Sequence, residues 1–296
     1  MKIGALEAGG TKMVCAIGDE NGKIEKRVCF PTQTPKETLP QILEFFVNEE
    51  IAALGIGCFG PVELDRRSPV YGYITSTPKL AWANYDIVGK FEEALNVPVG
   101  FDTDVNGAAL GEVFFGAARG CDPAIYITIG TGVGVGIYVN GTLLHGLIHP
   151  EAGHILITRR HGDTYRGKCP YHENCLEGLT AGPAIMERWG KPAAELTDRK
   201  EVWELESDYL AQAVANYILT LSPQKVILGG GVMHQEQMFA LVRKKVQEKL
   251  NSYLQNDRIA EHIEEYIVPP ALGDNAGITG ALLLGWQEFE RVTTLK

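Results

Sequence analysis

The chain has 296 residues, of which 45% are hydrophobic, and its formal net charge is −10 at neutral pH. This length suits two domains with sizeable cores, and the acidic balance without a dense basic patch argues against nucleic acid as a partner. No apolar run approaches the length of a membrane span, and the chain opens without a basic, apolar signal segment, so we expect a cytoplasmic protein with reduced cysteines.

The N-terminal part of the chain predicts α/β units. Apolar alternation indicates strands, and apolar spacings of three and four indicate helices. The Asn21-Gly22 turn is typical of a β-hairpin. The predicted elements, in chain order, are strands at 2–7, 11–18 and 23–30, a helix at 38–49, a strand at 52–59, a helix at 86–96, a strand at 97–101 and a helix at 105–117.

The same pattern then begins again. The predicted elements are strands at 124–129 and 133–139, a helix at 207–221, a strand at 225–228, a helix at 235–254, a strand at 266–268 and a final helix at 275–289. Gly130-Thr131 repeats Gly10-Thr11, and Asn140-Gly141 repeats Asn21-Gly22 at nearly the same spacing, which indicates an internal duplication. We therefore expect two duplicated α/β domains around a cleft, 1–116 with the C-terminal helix 277–296, and 117–276.

Glycine-rich turns are the first candidate site. Backbone N–H groups in such turns solvate phosphate oxygens, because glycine allows both positive φ angles and close approach. One such turn alone is a weak signal, but two at equivalent positions and a third cluster at a strand end predict a nucleotide site. Neither a P-loop nor a Rossmann pattern is present. The candidate residues are Gly9, Gly10, Thr11, Gly130, Thr131, Gly132, Gly229, Gly230 and Gly231.

The segment Cys169-Pro-Tyr-His172-Glu-Asn-Cys175 is the second candidate site. Three soft or borderline ligands three residues apart can converge on one ion, and a fourth ligand would complete a closed, tetrahedral zinc site. On spacing alone, this fourth ligand could be any of four upstream or adjacent histidines, His145, His149, His154 and His161. The alternative is a disulfide or two unrelated buried thiols, which a reducing compartment disfavours.

Six ordered motifs then carry a family resemblance. They are Glu7-Ala-Gly-Gly-Thr11, Asp102-Thr-Asp104-Val-Asn-Gly-Ala-Ala-Leu-Gly-Glu112, Gly130-Thr-Gly-Val-Gly134, Glu151-Ala-Gly-His154, Cys169–Leu176 with Glu177, and Leu228-Gly-Gly-Gly-Val-Met233. Together they resemble the ROK family (repressors, open reading frames, kinases), most closely its bacterial fructokinase branch. The resemblance implies an actin-like (ribonuclease-H-like) ATPase fold and phosphoryl transfer from ATP, with Mg²⁺, to a sugar hydroxyl, here D-fructose to fructose 6-phosphate.

The resemblance also implies residue roles. Asp104 would be the general base that accepts the proton of the attacking hydroxyl, although an Asp at that position is most often a plain helix cap. The expected sugar contacts are Glu151, Glu177, Asp102 and Thr103, where Thr103 replaces an Asn of glucokinase-like members. The carboxylates among them could instead be surface charges.

The remaining implied roles concern nucleotide and metals. ATP is expected near the backbone of Gly182-Pro183 and near Val232 and Met233. The resemblance selects His154, with Cys169, His172 and Cys175, as the zinc ligands. Zinc would clamp the sugar-binding loop, and neither chemistry nor nucleotide binding is expected to need it directly. Glu7 replaces the usual Asp, so we expect its link to Mg²⁺ to run through water.

Alternatives stay open within the same family. A kinase of glucose, mannose or an N-acylhexosamine is the nearest one, and a sugar-sensing regulator without catalysis is another. Repressors of the family carry an N-terminal helix-turn-helix, whereas this chain starts at the ATPase strand. A homodimer is the family's common habit.

Overall fold

The computed structural model describes residues 1–294, and these divide into two compact units. The first contains residues 1–119, 142–150 and the chain from Asp274 onwards, and the second contains residues 120–141 and 151–273. The sequence-based boundaries had placed 142–150 in the second domain. Two residues of the expected helix 277–296, at positions 295 and 296, lie outside the described part of the chain.

The described chain, residues 1–294, contains both strands and helices. The strands are β1 (Ile3–Ala8), β2 (Lys12–Gly18), β3 (Ile24–Pro31), β4 (Leu54–Cys58), β5 (Tyr73–Ile74), β6 (Tyr85–Asp86), β7 (Val99–Thr103), β8 (Ala124–Ile129), β9 (Val133–Val139), β10 (Thr142–Leu143), β11 (Lys225–Gly229) and β12 (Ile267–Val268). The helices are α1 (Pro35–Val47), α2 (Ile87–Leu95), α3 (Asp104–Phe115), α4 (Leu176–Thr180), α5 (Gly182–Trp189), α6 (Lys200–Leu221), α7 (Gln237–Leu250), α8 (Asp257–Ala260), α9 (Ile263–Tyr266) and α10 (Ala276–Thr294).

The first unit is built on a five-stranded sheet with the order β3–β2–β1–β4–β7. β1 runs antiparallel to β2 and parallel to β4, so that Leu6 lies opposite both Cys15 and Ile56. Helix α10 packs very closely against β4, and glycine at position 55 allows this. A Cβ atom on Gly55 would lie only 1.7 Å from the carbonyl oxygen of Ala281. Covered strands of this kind bury both faces, and every residue of β4 and β7 is buried.

The second unit repeats this arrangement. Of its five-stranded sheet, the four strands that belong to this unit have the order β9–β8–β11–β12. In it, β8 is antiparallel to β9 and parallel to β11, and β11 is parallel to β12. This matches β2–β1–β4–β7 strand for strand, with a glycine-containing turn inside each hairpin. The predicted duplication of two α/β domains is confirmed. No helix within residues 1–294 is long and apolar enough to cross a membrane.

Candidate active site

The junction of β7 and α3 holds the residue proposed from the sequence as the catalytic base. β7 continues two residues beyond the predicted strand end, and α3 begins at Asp104. The helix cap is Thr103, whose Oγ1 accepts a hydrogen bond from the backbone N–H of Asn106 at 3.1 Å. The plain-cap interpretation of Asp104 is therefore wrong, because its neighbour performs that role and leaves Asp104 as the first helical residue.

The carboxyl group of Asp104 has a higher pKa than an ordinary aspartate. Burial raises its pKa to about 6, and two backbone N–H groups, of Val105 and of Asp104 itself, oppose this only in part. An Asp with a pKa near 6 is still ionised at neutral pH, and it is a better proton acceptor than an ordinary aspartate.

Asp102 is 3% exposed and lies in a small polar network. Its Oδ1 accepts hydrogen bonds from Thr103 N at 2.8 Å and from Asn106 Nδ2 at 2.7 Å. Its Oδ2 lies 2.8 Å from Nε2 of His145. Within the described chain, both Asp102 and Thr103 thus have protein partners that fix the start of α3, and their direct contact with sugar stays a prediction.

Two histidines that spacing allowed as zinc ligands lie in this first unit instead. The hydrogen bond with the Asp102 carboxylate raises the pKa of His145. Partial burial lowers this pKa, but by less, so the net shift is upward. Nε2 of the buried His149 ring accepts a hydrogen bond of 3.1 Å from the backbone N–H of Val62. Neither the role of Asn106 nor the contact of His145 with Asp102 was predicted from the sequence. The Asp102-x3-Asn106 spacing was the available signal for the first contact, but nothing local predicts the second.

Glu7, near the end of β1, is another carboxylate of the first unit with a raised pKa. Burial and the charge of Asp104 raise its pKa to about 7. A Cβ atom on Gly277 would lie 2.6 Å from Cδ of Glu7, so the glycine leaves space for this side chain. The glycine turn after β1 is closed by Gly9 N–H donating to Lys12 O at 3.0 Å, and Gly10 and Thr11 are accessible at its tip.

In the second unit, the structure brings together His154, Cys169, His172 and Cys175, whose ligand atoms all lie within 4.8 Å of one another. Nδ1 of His154 lies 3.7 Å from Sγ of Cys169 and 3.6 Å from Sγ of Cys175, and Nδ1 of His172 lies 3.6 Å from Sγ of Cys169. Bond lengths of about 2.3 Å for Zn–S and about 2.0–2.1 Å for Zn–N place tetrahedral ligands about 3.6 Å apart. The donor set and its spacing therefore fit zinc.

Local pairing of the chain builds this cluster. Leu176 N–H donates to Ile155 O at 2.9 Å and Ile157 N–H to Asn174 O at 2.8 Å, which sets His154 beside Cys175. Both cysteines of the cluster are free thiols, so the disulfide alternative is excluded. His161 is not in the cluster; it lines a separate cavity of about 520 Å³ with Arg160 and Tyr165.

The expected sugar-contact glutamates of the second unit flank this cluster. Glu151 is exposed and immediately precedes the short 3₁₀ turn Ala152–His154. Glu177 lies in the first turn of α4, which begins directly after Cys175. Oε2 of Glu177 accepts the backbone N–H of Val133 at 3.0 Å, and its Oε1 lies 3.8 Å from Nε2 of His154.

The glycine turn of the second hairpin is held from two sides. Gly130 N–H donates to Gly132 O, and Gly182 N–H donates to Gly130 O, each at 2.8 Å. Thr131 is exposed at the tip, and Pro183 follows in the first turn of α5. The structure thus brings the predicted Gly182-Pro183 segment to the predicted phosphate turn.

The third glycine cluster continues from β11. Gly230 has a φ of +87° and lies against Ile129, whereas a Cβ on Gly231 would meet no atom within 4 Å. Val232 and Met233 are 3% and 4% exposed, and their contact with nucleotide stays a prediction.

Comparison with known proteins decides the family, because the sequence model of the family described as "ROK family" matches residues 3–288. The chain belongs to the ROK family. A Bacillus subtilis (strain 168) protein, provisionally named a fructokinase, is 53% identical over 97% of this chain and 96% of its own length. The fructokinase of Pediococcus pentosaceus is 44% identical over 96% of this chain and 97% of its own.

The fold comparison agrees. The crystal structure of a ROK hexokinase from Thermus thermophilus has a TM-score of 0.79 and 26% identity to this chain, and covers 98% of this chain and 100% of that one. The predicted actin-like α/β fold class of ROK sugar kinases is confirmed.

Proposed function

We propose that this protein transfers the γ-phosphoryl group of ATP to the 6-hydroxyl of D-fructose, with Asp104 as the general base. The observation that carries the proposal is the position of Asp104, a carboxylate freed from capping and with a pKa raised to about 6. The ROK family membership and the relatives named fructokinase supply the reaction class and the sugar.

The proposed chemistry needs one proton acceptor and a phosphate cradle. As the sugar oxygen bonds to phosphorus, its proton passes to Asp104, and the bond from the γ-phosphorus to the bridging oxygen breaks to release ADP. The backbone of Gly130–Gly132 and of Gly9–Thr11 is proposed to solvate phosphate oxygens. Asp102 and Thr103 hold the base in place through the network with Asn106.

The donor sets also fit two metal ions. Glu7 would hold the Mg²⁺ that accompanies ATP, because a cation offsets the repulsion between this carboxylate and Asp104. Mg²⁺, when bound, neutralises charge on the transferring phosphoryl group. His154, Cys169, His172 and Cys175 would hold a structural Zn²⁺ with no open position. We propose the cytoplasm as the compartment, since it keeps these thiols reduced.

A coupled ADP-release assay with Mg·ATP across fructose, glucose, mannose and N-acylhexosamines tests the proposal. We expect fructose to give the highest kcat/KM and the product to be fructose 6-phosphate. Much faster turnover of glucose would replace the substrate and keep the reaction class. No sugar-dependent ADP release, together with measurable sugar binding, would support a regulator instead.

A further inference from the structure

The carboxylate of Glu177 lies between the metal cluster and the glycine turn of the second unit. One of its oxygens accepts the backbone N–H of Val133 at 3.0 Å, and the other lies 3.8 Å from Nε2 of His154. A side chain that only contacted sugar would have no need of a backbone partner on the nucleotide side. The two contacts make Glu177 a physical link between two sites that no sequence motif connects.

The ring of His154 is oriented for this link. Its Nδ1 faces the sulfurs of Cys169 and Cys175, and its Nε2 faces Glu177. A metal bound at Nδ1 leaves the ring proton on Nε2, and ligating histidines commonly direct that N–H to a carboxylate. A metal in the cluster would thus fix the orientation of the His154 ring, with its Nε2 directed towards Glu177.

The other carboxylate oxygen of Glu177, Oε2, contacts the Gly130–Gly132 turn and the residue that follows it. Val133 immediately follows the turn, and a Cβ atom on Gly132 would lie 2.6 Å from Oε2 of Glu177, so the turn closes directly over this oxygen. The backbone supplies a second connection, because α4 begins after Cys175 and ends two residues before Gly182, whose N–H donates to Gly130 O.

We propose that Glu177 is a positioning residue that holds the Gly130–Gly132 turn in its phosphate-binding shape, and that the metal cluster acts on nucleotide binding through it. This inference rests on the proposed function. It also departs from the sequence-based expectation that zinc serves only the sugar loop. Metal loss should then weaken binding of the phosphates of ADP as well as binding of sugar.

The test compares ADP and adenosine binding by calorimetry in Glu177→Ala, without sugar and with zinc content measured. We expect ADP to bind about tenfold or more weakly, because the turn loses an anchor of its backbone, while adenosine affinity changes little. Glu177→Gln should be intermediate, because its amide oxygen still accepts from Val133 but carries no charge towards His154. It also serves as the decisive variant if Glu177→Ala does not retain zinc. Glu173→Gln is the matched control, since it removes an exposed carboxylate of the same loop that pairs with Arg166.

Chelated parent protein provides the second arm. It should show the same loss of ADP affinity, and chelation of Glu177→Ala should cause little further loss, because both changes act through one link. Parent-like ADP affinity in both Glu177 variants, with only the fructose KM raised, would reduce Glu177 to a sugar contact and overturn the inference. A parent protein that binds no ADP would instead overturn the proposed function, so the two failures are distinguishable.

Discussion

Nε2 of His145 lies 2.8 Å from Oδ2 of Asp102, which pairs a partly exposed histidine with a buried carboxylate. The other oxygen of Asp102 accepts from Thr103 and Asn106, at the start of α3. Because Asp104 is the first residue of that helix, the pair supports the backbone that carries the proposed base. A histidine distant in sequence thus helps, through Asp102, to place the proposed base.

Replacing His145 by Gln should lower the thermal stability of the protein in a pH-dependent way. Asp102 raises the pKa of His145, so the pair stabilises the fold fully below the ordinary histidine pKa of about 6.5, and this contribution is lost as the pH rises through the raised value. The difference in Tm between parent and variant should therefore be larger at pH 6 than at pH 9. Thermal unfolding at both pH values measures it, with exposed His262→Gln as the control. A pH-independent difference would contradict the ion pair.

Asp104→Asn should lower kcat by two or more orders of magnitude, since general-base catalysis typically supplies about 10²–10⁴-fold. Nucleotide affinity should stay near the parent value, because the residue is proposed to act on the sugar hydroxyl. Steady-state kinetics and ADP calorimetry measure the two effects. Asp86→Asn is the matched control, since Asp86 caps α2 in the same unit and Asn caps equally well. Near-normal turnover of Asp104→Asn would remove Asp104 from the mechanism.

The raised pKa of Asp104 predicts opposite effects on activity and stability. kcat/KM should fall as the pH drops through about 6, because the base becomes protonated. The folded state also bears the cost of the buried charge above that pH, so Asp104→Asn should unfold at a higher temperature than the parent at pH 8. As the pH falls towards the ordinary Asp pKa of about 3.9, this difference should narrow. Equal Tm values at pH 8 would argue against a desolvated carboxylate.

Sequence patterns predicted the long elements because their signal is local. Alternation located the β1–β2 and β8–β9 hairpins, and matching glycine turns revealed the duplication. The short helices α4 and α5 were missed, since five and eight residues are too few to show helical periodicity. The predicted helix 235–254 is also too long: α7 ends at Leu250, where Asn251 adopts a left-handed conformation with φ of +46°.

Likewise, only part of the candidate site could be predicted from the sequence. The convergence of Cys169, His172 and Cys175 was predictable, because a regular spacing of three residues lets their side chains meet at one point. Selecting His154 among four histidines needed the family resemblance, since spacing left all four open. The contact of Glu177 with Val133 joins positions 44 residues apart, and no local pattern encodes it. The pKa of Asp104 depends on burial, which only the folded structure supplies.

The third glycine cluster allows a separation of binding from folding. Gly231→Val should weaken ATP binding without unfolding the protein, because its Cβ meets no atom within 4 Å and the new bulk enters the proposed nucleotide site. Gly230→Val should instead destabilise the fold, since a Cβ there would lie 2.5 Å from Ile129 O and the φ is +87°. The ATP KM and Tm of both variants test this contrast. An unaltered ATP KM in a well-folded Gly231→Val protein would place the nucleotide elsewhere.

Protein purified without chelator should contain about one zinc per chain, since two thiolates and two imidazoles complete its tetrahedral coordination. His154→Ala and Cys175→Ser should lower the zinc content and the Tm, because metal binding contributes to the folding of its loop. His161→Ala is the matched control, because this histidine belongs to the same unit but lines another cavity. Elemental analysis and thermal unfolding, before and after chelation, give the result. Well under one zinc per chain in a fully active protein would exclude a zinc role, and metal loss in His161→Ala with retention in His154→Ala would reassign the fourth ligand.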